Sequence, residues 1–279
     1  MGSGPVGIAV DVTHRQALVW SQFDRTLSTL DLSELGPRPG GPTKVVAYPK
    51  TPTPAAKTTV LPMTRGKRLS PKARRGRELF HATQDRRITA DGRACASCHP
   101  DGRDDGLTWP TPHGPRQTPM LAGRLAPATA PYGWQGAAKT VAAHVTETFA
   151  RLGGSGLPEE ELDALVAYLA EMATPTQQPH SNEALVARGR ALFEHAAVGC
   201  AACHTDGGGS DGQNHRFNDG PALDTPSLRF VGGTGPYWHD GRYATLGALL
   251  RDTQGTMGSW ARELSPEEVS ALEAYVNTL

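Results

Sequence analysis

Two stretches of the chain repeat apolar residues at the spacing of an amphipathic helix, and each begins with acidic residues. The first follows residues 159–161 and the second follows residues 267–268. The apolar positions are Leu162, Leu165, Val166, Leu169 and Met172 in the first, and Val269, Leu272, Tyr275, Val276 and Leu279 in the second. Residues spaced i, i+3, i+4 and i+7 share one face of a helix, and acidic side chains in a first turn suit the helix dipole. The pattern therefore predicts a helix in each place.

The start of the chain has the pattern of short strands instead. Runs at 7–12, 16–20, 26–32 and 44–48 are strand-like and are separated by turn residues. They predict a short antiparallel β segment over residues 1–66. This segment is similar to one four-stranded blade of a β-propeller of the YVTN or quinoprotein kind, and one such blade cannot bury its own faces. The alternative is an ordinary N-terminal β extension.

The rest of the chain contains an internal repeat. The run RGRELF at 75–80 matches RGRALF at 188–193, and Thr-Pro-x-Leu occurs at 118–121 and again at 225–228. A Ser-Pro pair shortly before the first run has the form of a helix N-cap followed by proline at the first helical position. We expect a helix at each of the two runs, and the same order of elements in both halves.

Each half also contains one Cys-x-x-Cys-His sequence, the attachment motif of c-type haem. The two thiols of such a motif form thioethers with the porphyrin, and the histidine becomes an axial ligand of the iron. The motifs predict two covalent haems, with attachment at Cys95, Cys98, Cys200 and Cys203 and iron ligation by His99 and His204. These are the only four cysteines of the chain, so none remains for a disulfide or a nucleophile.

Two other uses of these cysteines were weighed. A structural zinc site could use two Cys-x-x-Cys pairs, but here both pairs are followed by histidine and lie far apart in the sequence. A redox pair of the thioredoxin type would not occur twice with a following histidine. Haem attachment is the interpretation that accounts for both motifs together.

The order of helix, haem motif, loop, helix and helix in each half predicts the fold class. We expect a mainly α protein with two tandem cytochrome c-type haem domains, preceded by the short antiparallel β segment. The domains are placed at 67–174 and 182–279, and the polar, proline-containing residues 175–181 form the predicted linker.

The composition and the haem motifs restrict the classes of partner and the cellular location that we expect. The 28 basic residues balance 28 acidic ones, so nothing favours nucleic acid or an anionic membrane surface as a partner. No apolar run approaches the roughly 18 residues of a membrane-spanning helix. Covalent haem is attached outside the cytoplasm, which predicts a periplasmic or otherwise exported protein. No signal peptide is visible at the start, and we interpret the sequence as a fragment or as one with a misplaced start.

From about residue 67 onward the chain resembles the bacterial di-haem cytochrome c peroxidase superfamily, which includes the MauG-like proteins. Besides the haem motifs, the resemblance depends on GPRQTP at 114–119, TPSLR at 225–229 and TGPYWHDGR at 234–242. It implies that one haem relays electrons and the other reduces hydrogen peroxide. It also implies a small electron-donor protein, such as a mono-haem cytochrome or a cupredoxin, and a homodimer, since di-haem relatives are often dimers.

The resemblance gives the two irons different axial partners. Met257 matches the methionine that completes the relay haem on His204, where a thioether raises the reduction potential; a packing methionine is the alternative. The repeat puts Leu152 at the corresponding place in the first half, and leucine cannot ligate iron. His113 lies in a loop from which, in the family, a histidine can cap the first iron and leave on activation. An exposed loop histidine is the alternative there.

Four further residues follow from the same resemblance. Trp134 matches a tryptophan between the haems that is thought to pass electrons, although it could equally pack against porphyrin. Gln117, Thr234 and Pro236 match the family's inter-domain calcium site. Glutamine replaces the family's asparagine, which lengthens the arm of one ligand, while carbonyl-rich coordination can tolerate such a change.

A peroxidase also needs a distal group that moves a proton between the two oxygens. The family supplies a glutamate in an Asn-Pro-x-Glu-Met run, and no such run occurs here. His144 and Glu147 lie one helical turn apart and share a face, so either could serve. The alternative is that this helix only packs, with Glu147 in solvent.

Two classes of function therefore remain open. The first is an enzyme that reduces hydrogen peroxide at the His99 haem with electrons from the His204 haem, or that oxidises a protein or organic substrate. The second is a non-catalytic carrier that drains electrons from an upstream propeller or dehydrogenase module. A high-spin haem in the half-reduced protein favours the first class, and two low-spin haems that ignore peroxide favour the second.

Overall fold

The computed structural model describes nine segments of the chain, and all statements below refer to them. They are 5–23, 26–33, 56–60, 69–126, 129–177, 181–216, 220–252, 257 and 264–279. The chain divides into two compact units, Met1–Arg68 and Leu69–Leu279. Within the described segments, every helix is too short or too polar to cross a membrane.

The first unit contains one antiparallel sheet in which each strand pairs with the next along the chain. Its strands are β1 (Pro5–Asp11), β2 (Gln16–Ser21), β3 (Thr26–Asp31) and β4 (Ala56–Val60). The predicted antiparallel segment and its first three strands are confirmed. The fourth predicted run, 44–48, lies outside the described residues, and β4 was not predicted. The likeness to a propeller blade stays a prediction.

The second unit is mainly helical, as predicted. Its helices are α1 (Pro71–Phe80), α2 (Val141–Arg151), α3 (Glu159–Glu171), α4 (Glu183–Glu194), α5 (Cys200–Cys203), α6 (Thr205–Gly208), α7 (Leu246–Arg251) and α8 (Pro266–Val276). Two short hairpins complete it, β5 (Thr108–Trp109) with β6 (Arg116–Gln117), and β7 (Asn214–Arg216) with β8 (Ala222–Asp224). The predicted N-cap is present, because the Ser70 hydroxyl accepts a hydrogen bond from the Ala73 amide at 3.1 Å. All six helices expected from the sequence, three in each half, are found as α1, α2 and α3 and as α4, α7 and α8.

In both halves a glycine lets the leading helix touch the backbone of the closing helix. A Cβ atom added at Gly76 of α1 would lie 1.9 Å from the carbonyl oxygen of Ala164 in α3. A Cβ atom added at Gly189 of α4 would lie 1.9 Å from the carbonyl oxygen of Ala271 in α8. Such distances are far inside van der Waals contact, so only glycine allows either crossing.

The same two crossings are fixed by matching aromatic pairs. Phe80 and Tyr168 meet edge to face with ring centroids 5.3 Å apart, and Phe193 and Tyr275 do so at the same distance. Edge-to-face pairs of this kind add to the stabilisation from burial. The two halves therefore share one packing scheme. The domain boundaries at 67–174, 175–181 and 182–279 stay predictions; residues 172–177 form neither helix nor strand.

Candidate haem sites

Both Cys-x-x-Cys-His motifs begin on a single helical turn. Cys95 starts a 3₁₀ turn that ends at Ser97, and Cys200 to Cys203 form α5. None of the four cysteines, all of them in described segments, forms a disulfide. Burial raises the pKa of both Cys95 and Cys200 to about 11. Thiols with such pKa values are poor nucleophiles at neutral pH, which argues against a redox pair of the thioredoxin type.

The two motif histidines are electrically neutral at physiological pH. Surrounding protein atoms disfavour the charged ring, and this desolvation lowers the pKa of His99 and of His204 to about 4. The Nδ1 atom of His99 lies 3.3 Å from the carbonyl oxygen of Arg103, which orients the ring. Iron is ligated by the neutral imidazole. The two histidines, each next to its cysteine pair, thus fit the axial-ligand role in c-type haem.

The acidic residue that follows each motif has a different partner in the two halves. In the first half the Trp109 indole donates a hydrogen bond to Asp105 at 2.8 Å. At the similar position of the second half, His215 lies 2.7 Å from Asp211 and 3.6 Å from the Cys203 sulfur. The ligand atoms of Cys203, Asp211 and His215 all lie within 4.8 Å of one another. The sequence analysis missed this cluster, although an acidic residue followed four positions later by an aromatic ring occurs after both motifs.

The two predicted sixth ligands differ in their exposure. His113 is exposed, in the loop between β5 and β6. Met257 is half-buried, and residues 253–256 and 258–263 on either side of it lie outside the described segments. Both assignments stay predictions. Leu152, the residue that the repeat matches to Met257, caps the end of α2 and is 37% exposed.

The two candidate proton shuttles on α2 differ in burial. His144 is half-buried and close enough to His99 for the charge of one to lower the pKa of the other. Burial lowers the pKa of His144 itself, so this ring is also largely neutral. Glu147 is exposed to solvent. Helix α2 begins at the N-cap Thr140, and helix α7 begins at the N-cap Thr245. When these two threonines are aligned, Leu249 of the second half matches His144 of the first.

Trp134 joins the two halves. Its indole N–H donates a hydrogen bond to the carbonyl of Gln117 at 3.1 Å, and its own carbonyl accepts one from the Asp224 amide at 3.1 Å. Its ring meets the ring of His239 edge to face, with centroids 6.3 Å apart. The predicted inter-haem tryptophan therefore lies where the halves touch, with partners from both.

Two of the three predicted calcium ligands lie together at the same junction. Gln117 and Thr234 are both buried, and the Gln117 amide nitrogen donates to the Thr234 carbonyl at 3.4 Å. Pro236 lies two residues further on and is half-buried. The oxygens that these residues offer are all neutral, whereas calcium sites usually include carboxylates.

The repeat equivalent of Gln117 is a buried acid that the sequence analysis overlooked. Asp224 is 8% exposed, and its Oδ1 atom has no hydrogen-bond partner among the described residues. Burial, together with the negative charge of Asp211, raises the pKa of Asp224 to about 7. The alignment of Gln-Thr-Pro at 117–119 with Asp-Thr-Pro at 224–226 could have revealed it.

Comparison with known proteins supports the fold and the cytochrome c character of the second half. Residues 186–279 match the cytochrome c family. Two-thirds or more of the chain is also similar in structure to several solved proteins. The chain has the fold of the MauG-like and di-haem peroxidase proteins. No curated protein matches its sequence.

Three of the similar structures illustrate the likeness. A hydrazine synthase chain from Kuenenia stuttgartiensis has a TM-score of 0.63 at 20% identity, covering 86% of this chain and 100% of that one. A MauG-like protein associated with microbial copper homeostasis has a TM-score of 0.60 at 20% identity, with 76% and 89% covered. A variant of the di-haem peroxidase BthA from Burkholderia thailandensis has a TM-score of 0.50 at 19% identity, with 76% and 86% covered. Together with the family match, they support a haem electron-transfer protein.

Proposed function

We propose that this protein is a di-haem c-type cytochrome that reduces hydrogen peroxide at the haem on His99, using electrons that enter at the haem on His204. When bound, the haems supply iron centres that change oxidation state, and an iron with an open axial position can bind peroxide. The proposal depends above all on one observation: the two halves share a packing scheme but surround their haem motifs with different side chains.

The shared packing supports a haem in each half. Each Cys-x-x-Cys-His motif follows a leading helix that crosses its closing helix at a glycine. In both crossings a Cβ atom added at the glycine would lie at the same distance from the facing carbonyl oxygen. Each motif histidine has its pKa lowered to about 4 by desolvation. Because both halves build the same environment for the histidine, both should accept the same prosthetic group.

The differing side chains support chemistry at the first haem. His144 is half-buried on α2, and burial lowers its pKa. A neutral imidazole could accept a proton from peroxide bound at the first haem and return it to the leaving oxygen. The second half has Leu249 at this position, which can do neither. The first half in turn has Leu152 in place of Met257, which leaves His113 or an open position on the first iron. Glu147 stays a second candidate shuttle, at an exposed position on the same helix.

The junction between the halves supports two further roles. Trp134, hydrogen-bonded to both halves, is proposed to pass electrons from the second haem to the first. Gln117, Thr234 and Pro236 are proposed to hold a calcium ion through their oxygens, with the Gln117 amide turned so that its oxygen faces the ion. Amide oxygen and nitrogen are distinguished only by their hydrogen-bond partners, so this orientation requires no movement of the chain.

The proposal extends to location and partners. A protein with covalent haem is expected in the periplasm or another exported location. Its electrons would come from a small mono-haem cytochrome or a cupredoxin, and the protein would form a homodimer. If the protein is instead a carrier without chemistry of its own, its donor would be an upstream propeller or dehydrogenase module.

The test uses protein matured in a haem-loading host. The haemochrome spectrum should show two haems per chain, and the half-reduced protein should show one high-spin haem. Peroxide should then oxidise a reduced mono-haem cytochrome catalytically. His144→Leu, which installs the residue of the second half, should lower kcat by at least two orders of magnitude if this ring is the proton shuttle. Glu147→Gln tests the competing candidate on the same helix, and it should change kcat little if His144 is the shuttle.

Each other outcome has a defined meaning. Two low-spin haems that do not respond to peroxide would replace the enzyme by the electron carrier. A loss of activity in Glu147→Gln but not in His144→Leu would move the shuttle to the exposed carboxylate. Colourless protein, or protein that carries zinc, would contradict the haem assignment itself.

A further inference from the structure

The two halves exchange backbone hydrogen bonds in a reciprocal way. The Gln117 amide donates to the carbonyl of His239 at 2.8 Å, and the Asp224 amide donates to the carbonyl of Trp134 at 3.1 Å. Gln117 and Asp224 both precede a Thr-Pro pair, so they are equivalent positions of the repeat. If the residues whose carbonyl groups accept these hydrogen bonds also follow the repeat, Trp134 and His239 must be equivalent positions as well.

The local structure around the two acceptors confirms that equivalence. Both follow a Pro-Tyr pair, APYGW at 130–134 and GPYWH at 235–239. In the first loop the amide of Tyr132 donates to the carbonyl of Ala138 at 2.8 Å; in the second, the amide of Tyr237 donates to the carbonyl of Tyr243 at 2.7 Å. The same loop is therefore built twice, and it presents an aromatic ring at the same position each time.

These two rings touch each other at the junction. The ring centroids of Trp134 and His239 are 6.3 Å apart at an interplanar angle of 65°. His239 is only 7% exposed, and burial lowers its pKa, which favours the neutral ring. Its Nδ1 atom has no hydrogen-bond partner in the described part of the chain. Leaving a buried polar atom without a hydrogen-bond partner destabilises the folded protein. The Nδ1 atom is therefore suited to a hydrogen bond with a group that the chain does not provide, such as a haem carboxylate.

We propose that His239 is the second half's counterpart of Trp134, and that the two rings together form the electron bridge between the haem sites. The inference rests on the proposed di-haem function, and it adds a residue to the path that Trp134 alone would provide. With a haem bound in each half, one electron would pass from the second haem, which would be oxidised, to the first haem, which would be reduced. No bond is made or broken in either ring, and no proton needs to move.

The experiment compares two substitutions in the haem-loaded protein. His239→Phe keeps an aromatic ring against Trp134, and His239→Leu removes it. Half-reduced protein is mixed with hydrogen peroxide, and the reoxidation of the second haem is followed by stopped-flow absorbance. We expect His239→Leu to slow this phase several-fold or more, and His239→Phe to stay close to wild type. Trp20→Phe, which alters an aromatic ring on β2 in the first unit, should leave the rate unchanged.

Equilibrium measurements separate a bridge from a merely structural role. The haem content and the midpoint potentials of both haems should be the same in His239→Phe and His239→Leu, because both variants lack the imidazole and the bridge affects a rate and not an equilibrium. If His239→Leu reoxidises as fast as wild type, the bridge is refuted. If His239→Gln restores the rate and His239→Phe does not, the hydrogen bond and not the ring contact is what matters, and the proposal is equally refuted.

The wild type separates the bridge from the proposed function. If wild-type protein does not respond to peroxide, the peroxidase assignment fails without any bearing on His239. The bridge is then tested alone, by photolysing carbon monoxide from the first haem in half-reduced protein and timing the electron's return to the second haem. A rate that is slower in His239→Leu than in His239→Phe supports the bridge, and equal rates refute it.

Discussion

Replacing Gly76 by alanine tests the helix crossing on which the first half depends. The added Cβ atom would lie 1.9 Å from the carbonyl oxygen of Ala164, 2.6 Å from the carbonyl carbon and 2.8 Å from the Cβ atom of Tyr168. The first two obstacles are backbone atoms of α3, so no side-chain rotation relieves them. Helices α1 and α3 would have to separate by more than an ångström, which also loosens the contact between Phe80 and Tyr168.

The magnitude follows from two opposing terms. Overpacking in a well-packed core typically costs about 1–3 kcal/mol, and a clash with backbone belongs at or above the upper end of that range. Alanine is better than glycine inside a helix by about 1 kcal/mol, which offsets part of the loss. We therefore expect Gly76→Ala to lower the free energy of unfolding by about 2 kcal/mol or more.

The assay is thermal and urea unfolding of the haem-loaded protein, followed by circular dichroism and by the haem absorbance. Gly189→Ala, whose Cβ atom would meet the carbonyl of Ala271 at the same 1.9 Å, should destabilise the second half to a similar degree. Gly7→Ala is the control, since its Cβ atom would meet nothing closer than 3.7 Å. If Gly76→Ala is as stable as wild type, the close crossing of α1 and α3 is wrong. A loss in only one of the two glycine variants would show that the halves are not packed alike.

Three further predictions concern charge and cofactor. Because the pKa of Asp224 is raised from 3.8 to about 7, the folded state prefers the protonated form of this side chain. The free energy of unfolding should therefore fall as the pH rises from about 4 to about 7, by on the order of 4 kcal/mol at most. Asp224→Asn should flatten this dependence, as shown by melting temperatures at pH 5 and pH 8. Glu161 accepts hydrogen bonds from Arg75 and Arg87, and Glu161→Gln should lower stability by about 1 kcal/mol or less, with the difference shrinking in high salt. Cys98→Ala should remove one thioether, detected as a changed haemochrome band, without affecting the second haem.

The helices could be predicted because their signals are local. Apolar residues at helical spacing, acidic first turns and the Ser-Pro start at residue 70 all act within a few residues of the elements they specify. The haem motifs are local in the same sense, with two cysteines and one histidine inside five residues. The sequence alone was enough for these features because no distant part of the chain has to be known to interpret them.

The features that the sequence analysis missed depend on contacts between distant residues. Gly76 looks unfavourable inside a helix by propensity alone, and only the facing backbone of Ala164 explains it. Asp224 looks like an ordinary surface acid until β8 is packed against the loop of Trp134. The contact between Cys203 and His215, 12 positions apart, likewise appears only when β7 folds back onto the haem motif.

The repeat restricts where a functional difference between the halves can arise. Glycine crossings, aromatic pairs and reciprocal hydrogen bonds are the same in both, so the backbone gives each haem site the same frame. The side chains differ at a few matched positions around that frame: His144 and Leu249, Trp109 and His215, Gln117 and Asp224, Trp134 and His239. If one site is reactive and the other only relays electrons, we expect the cause in these positions or in the sixth ligands of the irons. Exchanging His144 and Leu249 is therefore the most direct test, because it changes the chemistry of a site while the shared frame stays in place.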